Sequence, residues 1–289
     1  MPDSRLRSLI ETLKTTRLRS SGLAAYRVLG LKQFAELWLH IVFNLPVVWL
    51  HGRPEAMRRV ALAMGKGAPL AITYRGYSFL WDCGFNDRHV PDPPAFYTVQ
   101  EMLIRDSYFA FHPEHVFDDA KTVVDLGANR GLFSLCMATH AKVVVSVECL
   151  REFTVLYEHN MNLNGFKNYF LEQAYIGESA AAIAGGSDVP VLSMRRLLDK
   201  HQLSSVDFLK MDIEGSEFAV FREPDWLQRV RNLTMEVHFD HGTLRELCAR
   251  LDEAGFTHRI VSPELQPIND RGFHTPGGCC LLFANRKSS

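Results

Sequence analysis

The sequence lacks the features that mark several large classes of protein. Its 32 Lys and Arg nearly balance 33 Asp and Glu, for a net charge of −1, so no global field draws in nucleic acid, which is not expected as a partner. The six cysteines, Cys83, Cys136, Cys149, Cys248, Cys279 and Cys280, include no Cys-x-x-Cys pair. Their irregular spacing suits neither a disulfide scaffold nor a thiolate zinc site, and they read as reduced, mostly buried thiols. There is no internal repeat and no low-complexity tract. The opening MPDSRLRSLIETLKTTRLRSSG is basic and amphipathic but has no continuous apolar core of the kind a secretion signal needs, so a cytoplasmic protein is expected. The most apolar stretch, Leu37 to Leu50, is interrupted by His40, Asn44 and Pro46 and falls short of the roughly 20 residues that span a bilayer.

What the chain does have is 289 residues, 47% of them hydrophobic and 22% charged, enough for one large globular domain with an appendage. Residues 1–69 read as that appendage, a helical extension. Its ordinary role is a helix pair packed on the main domain. The alternative is that its basic start and Trp-rich run rest on a membrane surface or a partner protein, as basic amphipathic helices do.

From about Leu70 the character of the chain changes. Ala71 to Asp82 alternates aromatic with small or polar residues around Arg75-Gly76, a hairpin signal. A Pro-rich turn and a helix from Thr98 to Ser107 follow, so residues 70–115 form a lead-in to a domain covering 70–289. After Lys121, apolar β-branched runs (Thr122 to Leu126, Val143 to Val147, Val206 to Met211, Leu233 to Val237) alternate with segments of helical period such as Arg151 to Leu163 and Leu244 to Ala254. Continuously apolar strands separated by helices indicate an α/β, doubly wound, Rossmann-like sheet covered on both faces. In such sheets ligands sit beyond the carboxyl ends of the strands, where strand order reverses.

The first strand end reads Asp125-Leu126-Gly127-Ala128-Asn129-Arg130-Gly131. Gly127 and Gly131 permit a sharp turn and close approach of a ligand, and the helix start beyond offers N–H groups to a carboxylate or phosphate. A dinucleotide fingerprint would put a glycine at Ala128, so the nicotinamide reading is weakened. The second strand ends at Glu148, about 20 residues on, where a carboxylate can accept from both ribose hydroxyls. Glu148 alone does not separate an adenosine-type cofactor from NAD. Asp212 and Glu214, two apart after the strand Val206 to Met211, share a face, as do Glu236 and His238 on the next strand. These four residues should surround one crevice, where clustered carboxylates raise the pKa of a neighbouring imidazole. Glu214 and Glu217 can equally serve only to favour a helix N-terminus. Carboxylates with an imidazole also suit a divalent metal, although no ligand spacing of a known metal site is present and none is expected.

Taken together, DLGANRGLFS (Asp125 to Ser134), SVE (Ser146 to Glu148), EHNMNLNG with Asn160 and Asn164, VDFLKMDIEGSE (Val206 to Glu217) and EVHFD (Glu236 to Asp240) resemble FkbM-type S-adenosylmethionine-dependent methyltransferases. The resemblance covers roughly Ala71 to Asn285 and leaves out the first seventy residues. Cys149 departs from it, since the family usually has proline after the acidic residue. The resemblance implies a final antiparallel hairpin, Thr257 to Val261 with Cys280 to Ala284, and methyl transfer from S-adenosyl-L-methionine to a hydroxyl of a sugar, glycolipid or polyketide-like product.

On this reading Asp125, Gly127, Ala128, Asn129, Gly131, Glu148 and Cys149 hold the cofactor. The methionine carboxylate lies against the backbone of Gly127 to Gly131, and Asp125 supports the amino group directly or through water. His238 is the general base, oriented by Glu236 or Asp212, with Asp212 the alternative base and Glu214 beside it. Tyr108, Tyr77 and Trp81 lead a set of aromatic side chains, with Tyr74, Phe96, Tyr97, Phe109 and Phe111, that could cover the acceptor or simply form core. The loop Ser262 to Gly278, with Phe273 and His274, is a second wall. A nicotinamide-dependent sugar oxidoreductase or epimerase and a non-catalytic cofactor-binding scaffold are the rival readings. The acceptor's identity and the oligomeric state are not legible.

Overall fold

The computed structural model describes residues 16–177, 189–239, 242–268 and 278–287. Phe273, His274 and the start of the basic N-terminus lie outside the described residues. The chain forms two compact units, Met1–Asp106 and Ser107–Ser289.

The described part of the first unit begins with three helices, α1 (Thr16–Phe43), α2 (Leu45–His51) and α3 (Arg53–Met64). At Gly30, with φ +69° and ψ 175°, α1 breaks into two runs. Pro46 near the start of α2 and Pro54 near the start of α3 fall where a missing N–H costs nothing. A hairpin follows, β1 (Leu70–Tyr74) and β2 (Tyr77–Trp81), paired from Leu70↔Trp81 to Tyr74↔Tyr77. Its turn residues Arg75 and Gly76 both have positive φ, the conformation that matches the twist of the flanking strands. Beyond lie α4 (Cys83–His89), α5 (Ala95–Thr98) and a π-helical turn Val99–Ile104, where the sequence predicts one helix from Thr98 to Ser107. The first compact unit ends just after this segment, at Asp106. An isolated two-stranded hairpin is marginal in water, and this one buries Ile72, Phe79 and Trp81 within the first unit.

The second unit carries a seven-stranded sheet in the order β10-β11-β9-β8-β3-β4-β5. Its strands are β3 (Thr122–Leu126), β4 (Val143–Glu148), β5 (Tyr169–Gln173), β8 (Val206–Met211), β9 (Val230–His238), β10 (Phe256–Val261) and β11 (Cys279–Arg286). Five strands, β3, β4, β5, β8 and β9, run parallel. The antiparallel pair β10–β11 is the expected final hairpin, and β11 inserts between β10 and β9. The minor strands β6 (Tyr175–Ile176) and β7 (Val191–Leu192) pair with each other. Helices α6 (His115–Asp119), α7 (Leu132–Ala138), α8 (Arg151–Leu163), α9 (Met194–Lys200), α10 (Glu217–Val220) and α11 (Leu244–Glu253) complete the unit.

The four residues Val123, Val124, Val144 and Val145 have no exposed surface, as the continuous apolar runs require for a sheet covered on both faces. Strand order reverses between β3 and β8. After β3 the chain moves outward to β4 and β5, then returns to β8 on the other side, and this divergence opens a crevice at the carboxyl ends of β3 and β8.

Candidate functional site

At the end of β3 the backbone must turn at once, and Gly127 does so with φ +72°. A Cβ there would stand 1.7 Å from the carbonyl oxygen of Asp212, so this position excludes every side chain. Gly131, φ +87°, starts α7 with the Tyr157 ring 2.7 Å from where a Cβ would be. The loop between them is fixed by its own hydrogen bonds. Gly127 and Ala128 N–H donate to the Val147 carbonyl at 2.9 and 3.0 Å, and Gly131 N–H to the Ala128 carbonyl at 2.9 Å. Asn129 N–H donates to Glu148 Oε2 at 2.7 Å, and Arg130 N–H to Asn129 Oδ1 at 2.8 Å. Each N–H from Gly127 to Gly131 thus has a partner within the protein.

Beside the loop lies a cleft of about 290 Å³. Gly127, Asn129, Glu148 and Cys149 line it, with Leu150, Phe153, Ala174 and Ile176 as an apolar wall and Asp212, Glu214 and Ser216 opposite. Glu148 is buried, with Oε1 accepting from Leu150 N–H at 2.8 Å. Each Glu148 oxygen accepts one backbone N–H and keeps a lone pair for a further donor. Burial beside Glu148 raises the Cys149 thiol to about 11, so at neutral pH this wall residue is uncharged.

Three of the expected cofactor residues lie off the cleft. Ala128 is buried, Gly131 packs on Tyr157, and Asp125 has no exposed surface. Asp125 Oδ2 accepts from Ser134 Oγ at 2.6 Å, and Oδ1 faces Lys210 Nζ at 3.2 Å. It anchors the floor below the loop. Lys210, itself buried, also donates to the Gly127 and Leu126 carbonyls at 2.6 and 3.3 Å and lies 3.8 Å from Asp212. Burial works to lower its pKa, but Asp125 and Asp212 outweigh burial and the net direction is upward. Sequence reasoning passed over Lys210 because one lysine in an apolar strand resembles a snorkelling edge residue.

The carboxyl ends of β8 and β9 bring together the four residues expected there. His238 Nε2 lies 3.4 Å from Glu214 and 3.8 Å from Glu236. One ligand atom each from Asp212, Glu214 and His238 fall within 4.8 Å of one another, close enough to hold a divalent cation. Asp212 Oδ2 accepts from Tyr108 Oη at 3.2 Å.

The partner that orients the imidazole is neither Glu236 nor Asp212. It is Glu217, fully buried at the start of α10, whose Oε1 lies 3.0 Å from His238 Nδ1 and accepts from Ile213 and Gly215 N–H at 3.3 Å. Glu217 Oε2 has no hydrogen-bond partner. The sequence offered Glu217 only as a helix-start acid. Its pairing with His238 arises from the turn Asp212 to Ser216, which periodicity does not describe. Glu217 foremost, then Glu236 and Glu214, raise His238 to about 9 against the opposing effect of burial.

That shift makes stability depend on pH. The folded pKa lies above the unfolded value of ~6.5, so the pair's contribution is fully present below pH ~6.5 and fades as pH rises through about 9. Discounted for partial exposure, it is ~1–2 kcal/mol. Urea denaturation of the wild type should show this loss between pH ~6.5 and ~9.5, and His238→Ala should lack it.

Of the expected aromatic cover, Tyr108 belongs to this site, with its ring edge-on to Phe133 at 5.6 Å and Lys210 Nζ 5.6 Å from its centroid. Trp81 is 0% exposed in the first unit and cannot touch an acceptor as placed, because the hairpin alternation turns it into the core. Tyr77 is half-buried. Tyr74, Phe96 and Phe109 are core, while Tyr97 and Phe111 are half-buried.

The methyltransferase FkbM domain matches residues 82–257. The chain belongs to the FkbM methyltransferase family. No curated protein matches it. Among solved structures, an rRNA methylase from Streptococcus thermophilus is similar over 60% of this chain and 91% of its own, with 14% identity and a TM-score of 0.38. A precorrin-6y C5,15-methyltransferase from Geobacter metallireducens is similar over 59% and 82%, with 15% identity and a TM-score of 0.37. As an FkbM methyltransferase, the chain carries the loop Asp125 to Gly131, Glu148 and the cluster from Asp212 to His238 inside the matched region.

Proposed function

We propose that this FkbM methyltransferase uses S-adenosyl-L-methionine to methylate a hydroxyl of a sugar, glycolipid or polyketide-like acceptor. One observation carries the reading. A cleft with a buried carboxylate, Glu148, and an apolar wall of Leu150, Phe153, Ala174 and Ile176 is flanked by the cluster around His238. The wall suits a purine, and Glu148 suits a ribose diol. Bound there, the cofactor supplies a methyl group on a sulfonium sulfur.

The chain's own residues must place the acceptor and take its proton, because an alcohol is a weak nucleophile at neutral pH. Glu217 Oε1 already accepts two backbone N–H groups, so the hydrogen on His238 belongs at Nδ1 and points to Glu217. In the neutral imidazole, whose share grows as pH rises toward about 9, that leaves Nε2 to accept a proton from the acceptor hydroxyl. Glu214 and Glu236 lie beside Nε2 and stabilise the imidazolium once it forms. Tyr108, hydrogen-bonded to Asp212, supports this reading as the aromatic side chain that would contact the acceptor.

Calorimetric titration with S-adenosylhomocysteine tests the cofactor. Micromolar binding is expected, with NADH giving no heat. Glu148→Gln should weaken S-adenosylhomocysteine by ~10- to 100-fold, since it removes charge-assisted acceptors and turns an NH2 group toward a backbone N–H. Binding of NADH alone would overturn the reading in favour of an oxidoreductase.

A further inference from the structure

We propose that residues 31–50 seat this protein on an anionic lipid surface. The proposal is independent of the cofactor reading and rests on the first unit alone. After the break at Gly30, Leu31, Ala35, Trp38, Leu39 and Val42 recur at i, i+4, i+7, i+8 and i+11, one face of a helix, and all five are exposed. Phe43, Leu45 and Leu50 continue the apolar surface. Leu31, Phe43 and Leu50 are 72, 74 and 73% exposed, and Leu37 is the one buried side chain described in residues 31–50. A face this apolar and this exposed marks an interaction site.

Charge decides the occupant. Residues 1–69 hold eleven Lys or Arg against four Asp or Glu, a net of +7, while the whole chain is −1. Arg27, Lys32 and Arg53, within or a few residues either side of this stretch of sequence, are exposed. A second copy docked here would bring together two chains whose residues 16–69 each hold eight Lys or Arg against two Asp or Glu. A bilayer containing anionic lipid offers negative headgroups and an apolar phase together. Trp38, amphipathic and exposed, suits the headgroup boundary. No helix among the described residues is long and apolar enough to cross a membrane, and the breaks at Asn44 and Gly52 let the segment follow a surface.

The experiment is co-sedimentation of the full chain with vesicles of phosphatidylcholine containing about 30% phosphatidylglycerol, at about 0.1 M salt. Most of the protein should sediment. Affinity should fall at least ~10-fold on pure phosphatidylcholine or in about 0.5 M salt. The variant Leu39→Glu/Phe43→Glu should lose binding at least ~10-fold while its melting temperature and its binding of S-adenosylhomocysteine stay as in the wild type. Failure of the wild type to bind the anionic vesicles overturns the proposal. So does a dimer in light scattering that the same double variant dissolves, since that would make the face an interface between copies.

Discussion

His238→Ala should lower kcat by ~10²- to 10⁴-fold, the ordinary weight of a positioned general base, while S-adenosylhomocysteine affinity stays within about twofold. The split follows from position. His238 stands at the end of β9 among Glu214, Glu217 and Glu236, whereas Glu148 and the apolar cleft wall belong to the ends of β4 and β5 and the segments after them. A pH profile strengthens the test. With His238 at about 9, kcat/KM of the wild type should climb ~10-fold per unit below that value, because only the neutral imidazole can accept a proton. Glu217→Gln removes the largest cause of the shift, so the midpoint should move down toward ~6.5, with a lower plateau where the base is less basic. An acid limb unchanged in His238→Ala would assign the proton to another group, and Asp212 would be the first to examine.

The second large effect concerns stability. Lys210→Met should destabilise the fold by ~3–5 kcal/mol, the usual result of leaving a buried charge without its partner. Asp125, with no exposed surface, would face an apolar chain where an ammonium now stands 3.2 Å away, and the Gly127 carbonyl would lose its 2.6 Å donor. Adding Asp125→Asn to the Lys210→Met background should recover part of the loss, because it removes the orphaned charge. Urea midpoints of the four proteins, wild type, both singles and the double, decide it. A loss under ~1 kcal/mol for Lys210→Met would mean that water reaches this floor.

These two sites also show what a sequence can and cannot convey. The strand Val206 to Met211 and the helix Arg151 to Leu163 appear at the ends read from composition, because β-branched runs and a 3.6-residue period act locally. Strand β9 is longer than its apolar centre, reaching from Val230 to His238. Its polar start is held by pairing and by Asn232 Nδ2 donating to the Asp207 carbonyl at 3.0 Å, an interaction between residues far apart in sequence. The same limit applies at the site. The gathering of Asp212, Glu214, Glu236 and His238 follows from strand-end topology and was legible. That Glu217 holds the imidazole, that Lys210 lies beneath the loop, and that the loop's N–H groups are spent internally all depend on side-chain directions and turns that periodicity does not encode. Trp81 illustrates the point in the hairpin, where alternation marks two faces without saying which is inward.

The floor of the site has a further consequence. Tyr157 Oη, Ser146 Oγ, Ser134 Oγ and Asp125 Oδ2 form a chain of contacts at 2.8, 2.7 and 2.6 Å, which Lys210 closes at 3.2 Å. These groups are buried and partner one another, so removing one strands the next. Such a floor resists change one residue at a time. Laboratory evolution of this enzyme toward new acceptors should therefore collect its substitutions along the cleft rim and on Tyr108, and alter the five floor residues only through paired or multiple replacements.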